Sequence, residues 1–120
     1  MAMLQVLLVD DDPLQLRVRN SILHGAGVVV HTATNAESAL ALLRSMKDKI
    51  GVVVTDHHLS GHTGTDLVRE MRVFAPSLPV VVLSGMPEIE DEYEGLNVIF
   101  RFKPFPPDEL IKVVQDLLSQ

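Results

Sequence analysis

Four points in this sequence carry side chains able to do chemistry together: Asp10-Asp11, Asp56, Ser84 and Lys103. Each closes an apolar run: Leu4 to Val9, Gly51-Val52-Val53-Val54-Thr55, Val80 to Leu83, and Val98 to Phe102. If they meet, they supply three carboxylates, a hydroxyl and an ammonium. Unpaired carboxylates about 4 Å apart repel by about 4 kcal/mol per pair at an effective dielectric near 20. Such a cluster therefore holds a proton or a cation. With oxygen ligands and no cysteine in the chain, the fitting ion is Mg²⁺ (or Mn²⁺), which takes one or two carboxylates with waters and phosphate oxygens. Lys103 adds a second positive charge and Ser84 a hydrogen-bond donor. Together they describe a pocket for a phosphoryl group, with an aspartate as its acceptor. Singly, each residue has a bland account: Asp10 and Asp11 solvate a loop, Asp56 caps one, Ser84 forms a turn and Lys103 is a solvated strand end. Four strand ends carrying the required chemistry together are not explained that way.

These residues converge only if their runs are parallel strands. The stretch 51–56 is dense in β-branched residues, as in a central strand buried on both faces. Asp12 and Pro13 suit the N-cap and first position of a helix, in which Leu14, Val18 and Ile22 recur at i, i+4, i+8 until Gly25 and Gly27 stop it. Val28 to Thr32 reads as the second strand, and Asn35 as the cap of a helix striped by Ala36, Leu40, Leu43 and Met46 or Lys47. After the loop 57–64, Leu67, Val68, Met71 and Phe74 trace a third helix, ended by Pro76 and Pro79. Pro106 and Pro107 open the last helix, with Leu110, Val113, Val114, Leu117 and Leu118 on its apolar face. Five alternating strand–helix repeats predict one domain over residues 1–120: α/β, doubly wound, with a five-stranded parallel sheet and helices on both faces. Right-handed crossovers leave few topologies. Every strand then ends on one edge, where open α/β sheets place their ligands.

Composition narrows the class. At 120 residues and 47% hydrophobic, the chain is long and apolar enough for a core. No apolar run approaches the roughly 20 residues that span a membrane, and the first residues do not read as an export signal. No cysteine means no disulfide and no thiolate site. The expectation is a soluble cytoplasmic protein with no membrane association. A formal net charge of −6 argues against direct nucleic-acid binding, which needs clustered cations. Glu88, Glu90, Asp91, Glu92 and Glu94 concentrate that charge in one short segment.

The set Val9-Asp10-Asp11-Asp12-Pro13, Asp56 with Gly61 and Gly64 downstream, Leu83-Ser84-Gly85 and Lys103-Pro104-Phe105 resembles the receiver domain of two-component response regulators, in order and over essentially the whole chain. The resemblance implies a flavodoxin-like strand order, 2-1-3-4-5, which the handedness rules alone leave open. It implies that Asp56 accepts a phosphoryl group from a phosphohistidine on a sensor histidine kinase or phosphotransfer protein, in a Mg-dependent reaction. Asp11 would be a direct metal ligand and Asp10 a ligand through water, with Asp56 and the His58 backbone carbonyl completing the protein's share. Ser84 would bond the phosphoryl oxygen and draw its loop inward. Lys103 would neutralise its charge, and the Lys103-Pro104 bond would be cis. Phe100 matches the switch aromatic. The product would be a signalling domain rather than an enzyme, self-catalysing only phosphotransfer and dephosphorylation, and acting on an output domain or a downstream protein. The added charge of roughly −1.5 to −2 would bias a two-state surface.

The chain departs from the family's pattern in three places. Ser60 and Thr63 replace the usual proline and aspartate, at positions expected to carry no chemistry. Phe100 lacks the usual tyrosine hydroxyl. Only residues 85–102 separate Ser84 from Lys103, so the fourth helix is expected to be shortened or disordered, a single turn or a mobile loop. Like-charge pairs at i, i+4 weaken it further, with Ile89 and Tyr93 as its apolar edge. His57, His58 and His62 read as exposed loop histidines rather than a zinc or copper site. The rival function is an aspartyl-phosphate phosphatase of the haloacid-dehalogenase type, because Asp10 and Asp12 fit its D-x-D. That family needs a further acidic strand end after the lysine, whereas Asp108-Glu109 begin a helix. A flavin module lacks its phosphate loop here, and a degenerate receiver would lack some of the five site residues. The chain's end after the last helix is compatible with a single-domain regulator or with a piece of a longer one.

Overall fold

The computed structural model describes residues 4–46 and 48–120. Strands β1 (Gln5–Val9), β2 (Val30–Ala33), β3 (Ile50–Asp56), β6 (Val80–Ser84) and β7 (Ile99–Phe102) form one parallel sheet in the order β2-β1-β3-β6-β7. Two-residue strands β4 (His58–Leu59) and β5 (His62–Thr63) pair separately as an antiparallel ladder in the loop after β3. Counting only the five long strands, the order is the expected 2-1-3-4-5. Central β3 is buried at all seven positions, as its β-branched run requires.

Alternate side chains of the sheet feed two apolar layers. Leu7, Val9, Val53 and Val82 pack with helices α2 (Ala36–Met46) and α3 (Gly64–Phe74). Val6, Leu8, Val54 and Leu83 pack with α1 (Pro13–Gly25) and α4 (Pro107–Leu118) on the other face. Caps set the helix starts. Asp12 accepts from the Leu14 and Gln15 amides, Asn35 from the Ser38 amide, and Thr63 forms a reciprocal capping box with Asp66. The α2 stripe buries Ala36, Leu40 and Leu43; its alternative end, Lys47, lies outside the described residues.

One helix turns the other way from its expected face. Leu14 and Val18, read as part of the α1 stripe, are 66% and 49% exposed, and Leu16 and Leu23 are buried instead. At 100° per residue Leu16 and Leu23 lie opposite the Leu14–Val18 edge. The helix carries apolar residues on both sides, so periodicity finds the helix without choosing its inner face.

The acidic segment forms the expected shortened fourth helix, a seven-residue 3-10 helix, Pro87–Tyr93, though longer than a single turn and regular rather than a loop. Its five carboxylates stay exposed while Ile89 and Tyr93 are buried at 6% and 4% exposure. Like-charge repulsion of a few tenths of a kcal/mol per pair is outweighed by burying two large side chains, roughly 1.5–3 kcal/mol for one the size of isoleucine. Three ties fix the segment to the body. Arg72 of α3 donates to the carbonyls of Leu96 and Asn97 just beyond it. Thr65 donates to Glu92 at 3.3 Å. The Tyr93 hydroxyl lies 2.6 Å from Nδ1 of His57.

His57 is therefore not an exposed loop residue: it is 3% exposed, directly after the central strand. Burial lowers its pKa, and burial pushes the Tyr93 hydroxyl up to about 12, so an uncharged imidazole meets an uncharged phenol. Gly64 leaves room for the pair, since a Cβ there would sit 2.5 Å from the Tyr93 oxygen. Tyr93→Phe should leave the buried His57 nitrogen without a partner and cost about 1–3 kcal/mol in urea unfolding. Amide exchange across residues 87–97 should quicken in the same variant. Exchange as slow as in the parent would show that this bond is not what tethers the segment.

Candidate functional site

Sheet register brings the predicted residues to one edge. Val9 pairs with Thr55, so Asp10 and Asp56 follow side by side at the ends of β1 and β3. Asp56 pairs with Leu83, placing Ser84 one step further along β6, and Ser84 pairs with Phe102, placing Lys103 one step beyond β7. Main-chain hydrogen bonds hold these steps past the strand ends: Asp10 N to Ala33 O at 3.1 Å, His57 N to Leu83 O at 3.1 Å, and Lys103 N to Ser84 O at 2.9 Å. The Lys103-Pro104 bond is cis.

One carboxylate oxygen from each of Asp10, Asp11 and Asp56 lies within 4.8 Å of the others. Two cations answer this charge. Lys103 Nζ is 2.5 Å from Asp56 Oδ1, and Arg19 Nη1 is 2.6 Å from Asp10 Oδ2. The other Asp10 oxygen accepts the Asp12 amide at 2.9 Å. Asp10 is fully buried, and burial raises its pKa. The Asp12 amide pulls the other way, the Asp56 charge reinforces the rise, and the Arg19 and Lys103 charges oppose it. Asp11 is less buried and accepts from the Ser60 hydroxyl at 3.1 Å. Ser60, at a position expected to carry no chemistry, thus hydrogen-bonds to a member of the cluster from the turn between β4 and β5. Thr63 serves as the cap of α3.

The remaining expected residues sit around the cluster rather than in it. Ser84 is 2% exposed, and its hydroxyl accepts the Met86 amide at 3.0 Å. His58 is exposed, with Nε2 at 3.1 Å from Met86 Sδ. Phe100 is 8% exposed, packed 5.8 Å from Tyr93 and 5.4 Å from Phe102 between ring centroids. Sequence reasoning does not single out Arg19, reads His57 as exposed, and reads Tyr93 as apolar edge without its hydroxyl's partner. For Arg19 a signal existed: it falls on the α1 side that carries Leu16 and Leu23, where an arginine needs a buried partner.

The oxygen-only donor set fits a hard divalent cation, and its spacing is comparable to twice a Mg–oxygen bond of about 2.1 Å. Among the described residues, no helix is long and apolar enough to cross a membrane.

Comparison with known proteins agrees with this arrangement. A family model described as the response regulator receiver domain matches residues 6–115. The C4-dicarboxylate transport transcriptional regulatory protein DctD of Pseudomonas aeruginosa is 34% identical over 98% of the chain and 26% of its own length. The chain spans about a fifth to a half of the length of the curated relatives it matches. Among solved structures, the receiver domain of NtrX from Brucella abortus is 33% identical with a TM-score of 0.83, covering 97% of this chain and 99% of that one. The chemotaxis protein CheY4 of Vibrio cholerae is 29% identical with a TM-score of 0.85, over 97% and 99%. A sheet of this order, an acidic cluster at its strand ends and a match running from β1 into the last helix place the chain in the response regulator receiver domain family of two-component signalling.

Proposed function

We propose that residues 1–120 act as one receiver in which Asp56 accepts a phosphoryl group from a phosphohistidine on a sensor histidine kinase or phosphotransfer protein. The observation that carries this reading is the Lys103–Asp56 ion pair at 2.5 Å inside the three-carboxylate cluster. It sets an ammonium against the nucleophilic carboxylate and holds a cation where phosphoryl charge would develop. An Asp56 oxygen bonds phosphorus as the P–N bond breaks. That bond's electron pair stays on the partner's imidazole nitrogen, which takes up a proton. Lys103 neutralises the new phosphoryl oxygens. The Ser84 hydroxyl, already fixed at the end of β6 as acceptor of the Met86 amide, donates its hydrogen to a phosphoryl oxygen and draws residues 85–86 inward. Phe100 is the switch aromatic of this reading.

Asp11 would hold Mg²⁺ (or Mn²⁺) directly and Asp10 through water, with Asp56 and the His58 carbonyl completing the protein's ligands. When bound, the ion supplies positive charge opposite the transferring phosphoryl group. The same site would return the acyl phosphate slowly to water, the only catalysis assigned to the domain. A cytoplasmic location and an output domain or downstream protein as listener belong to this reading. The haloacid-dehalogenase alternative gains no support, because Asp108 and Glu109 lie in the first turn of α4 rather than at a strand end.

Asp56→Asn should abolish labelling by acetyl phosphate with Mg²⁺. A variant labelled as strongly as the parent would remove Asp56 as acceptor. Asp11→Ala should weaken Mg²⁺ binding at least about tenfold, a loss of about 1.4 kcal/mol, measured by calorimetric titration. An unchanged dissociation constant would take Asp11 out of the metal shell.

A further inference from the structure

We propose that Arg19 is a resident counter-cation of the carboxylate pocket, holding Asp10 while the metal is absent and so setting how tightly the pocket takes a divalent cation. The inference rests on the reading of the pocket as a metal-assisted phosphoryl site and adds a residue to it. Arg19 comes from α1, nine positions after Asp10, and its side chain is 11% exposed, whereas that of Lys103 is 29% exposed. Its bond to Asp10 is thus the more enclosed of the pocket's two ion pairs.

Charge counting gives this contact a consequence. Asp10, Asp11 and Asp56 carry three negative charges, and Arg19 with Lys103 returns two, leaving one. A divalent ion therefore arrives at a site already largely neutralised, next to a guanidinium that repels it. Asp10 can turn fully to the metal or its water only as Arg19 lets go. Phosphorylation reverses the balance. As an acyl phosphate Asp56 loses its own charge, and a phosphoryl group of roughly −1.5 to −2 joins Asp10 and Asp11. About four negative charges then face the metal's two, Lys103 and Arg19. Without Arg19 the loaded, phosphorylated pocket is left negative. The same residue thus weakens metal binding before phosphotransfer, and drawn back by the added negative charge it balances the site after it.

The test is Mg²⁺ titration of the protein by calorimetry, with the Mg²⁺-induced rise in Tm alongside. Arg19→Gln should bind Mg²⁺ about tenfold or more tightly, because one like charge has left the site. Its Tm in EDTA should fall, with Asp10 buried and unpaired, and should rise further on Mg²⁺ addition than the parent's. Arg19→Lys, which keeps the charge, should stay within about threefold of the parent. A purely structural Arg19 would lower the Tm of Arg19→Gln without tightening metal binding, and that result overturns the inference. Should Arg19→Gln fail to fold, the parent itself decides. Its Arg19 guanidinium resonances should show hindered rotation in EDTA and lose it at saturating Mg²⁺; no change overturns the inference. A parent that takes up no Mg²⁺ defeats the metal reading and this inference together. A parent that binds, beside an Arg19→Gln that binds no tighter, defeats the inference alone.

Discussion

Three carboxylates crowded at the edge of an apolar sheet repel one another, and the surrounding structure is organised to hold them there nonetheless. The force that places them is burial. Val6, Leu7, Leu8 and Val9 of β1 and Val52, Val53 and Val54 of β3 are each at most 1% exposed. Burying one such side chain is worth roughly 1.5–3 kcal/mol, so the two strands together outweigh a repulsion of about 4 kcal/mol per carboxylate pair. Parallel pairing in register then leaves the aspartates no choice of position. The nearby ammonium and guanidinium groups reduce what remains of the repulsion, one reaching in from the end of β7 and the other from α1.

In the proposed reading, this tension is what makes the site switchable. A cluster whose charge is nearly balanced responds strongly to one added ion or one added phosphoryl group, because each shifts the local charge by at least as much as the excess already present. A fully relaxed site would have no such response. Here the balance is made by two side chains whose own positions depend on separate elements, the enclosed inner side of α1 and the turn after β7. In that reading, phosphorylation of Asp56 acts first on the elements that bring in the neutralising charges, and on β6 through Ser84.

Most of the frame was legible in the sequence because it depends on short-range pattern. β-branched runs ended by Asp10, Asp56, Ser84 and Lys103 needed only the rule that parallel strands share a carboxyl edge. Asp12, Asn35 and the proline-marked starts of α1 and α4 needed only local capping chemistry. Misread features depend on contacts across long sequence separations or on a choice between two equivalent stripes. On α1, Leu14 and Val18 satisfy the helical period as well as Leu16 and Leu23 do, and only the position of the sheet decides between them. Ser60 reaches Asp11 across 49 residues and His57 reaches Tyr93 across 36, separations no local pattern reports. Arg19 stood nearest to detection, an arginine on the side of α1 that buries Leu16 and Leu23, where burial demands an anionic partner.

The acidic segment shows the same logic with the polarity reversed. It carries five carboxylates, yet Tyr93, its link to the central strand, meets His57 as an uncharged phenol against an uncharged imidazole. A charged link there would lie beside Asp56 and add to the imbalance that Lys103 already answers. Placement of the hydroxyl follows from its neighbours. Phe100 packs against the rings of Tyr93 and Phe102, where a buried hydroxyl without a partner would cost about 1–3 kcal/mol. Tyr93 meets a histidine nitrogen instead, and Gly64 gives its oxygen the room to reach it. The missing hydroxyl at Phe100 and the present one at Tyr93 are two sides of one constraint: in this core the polar atom sits where a partner can satisfy it.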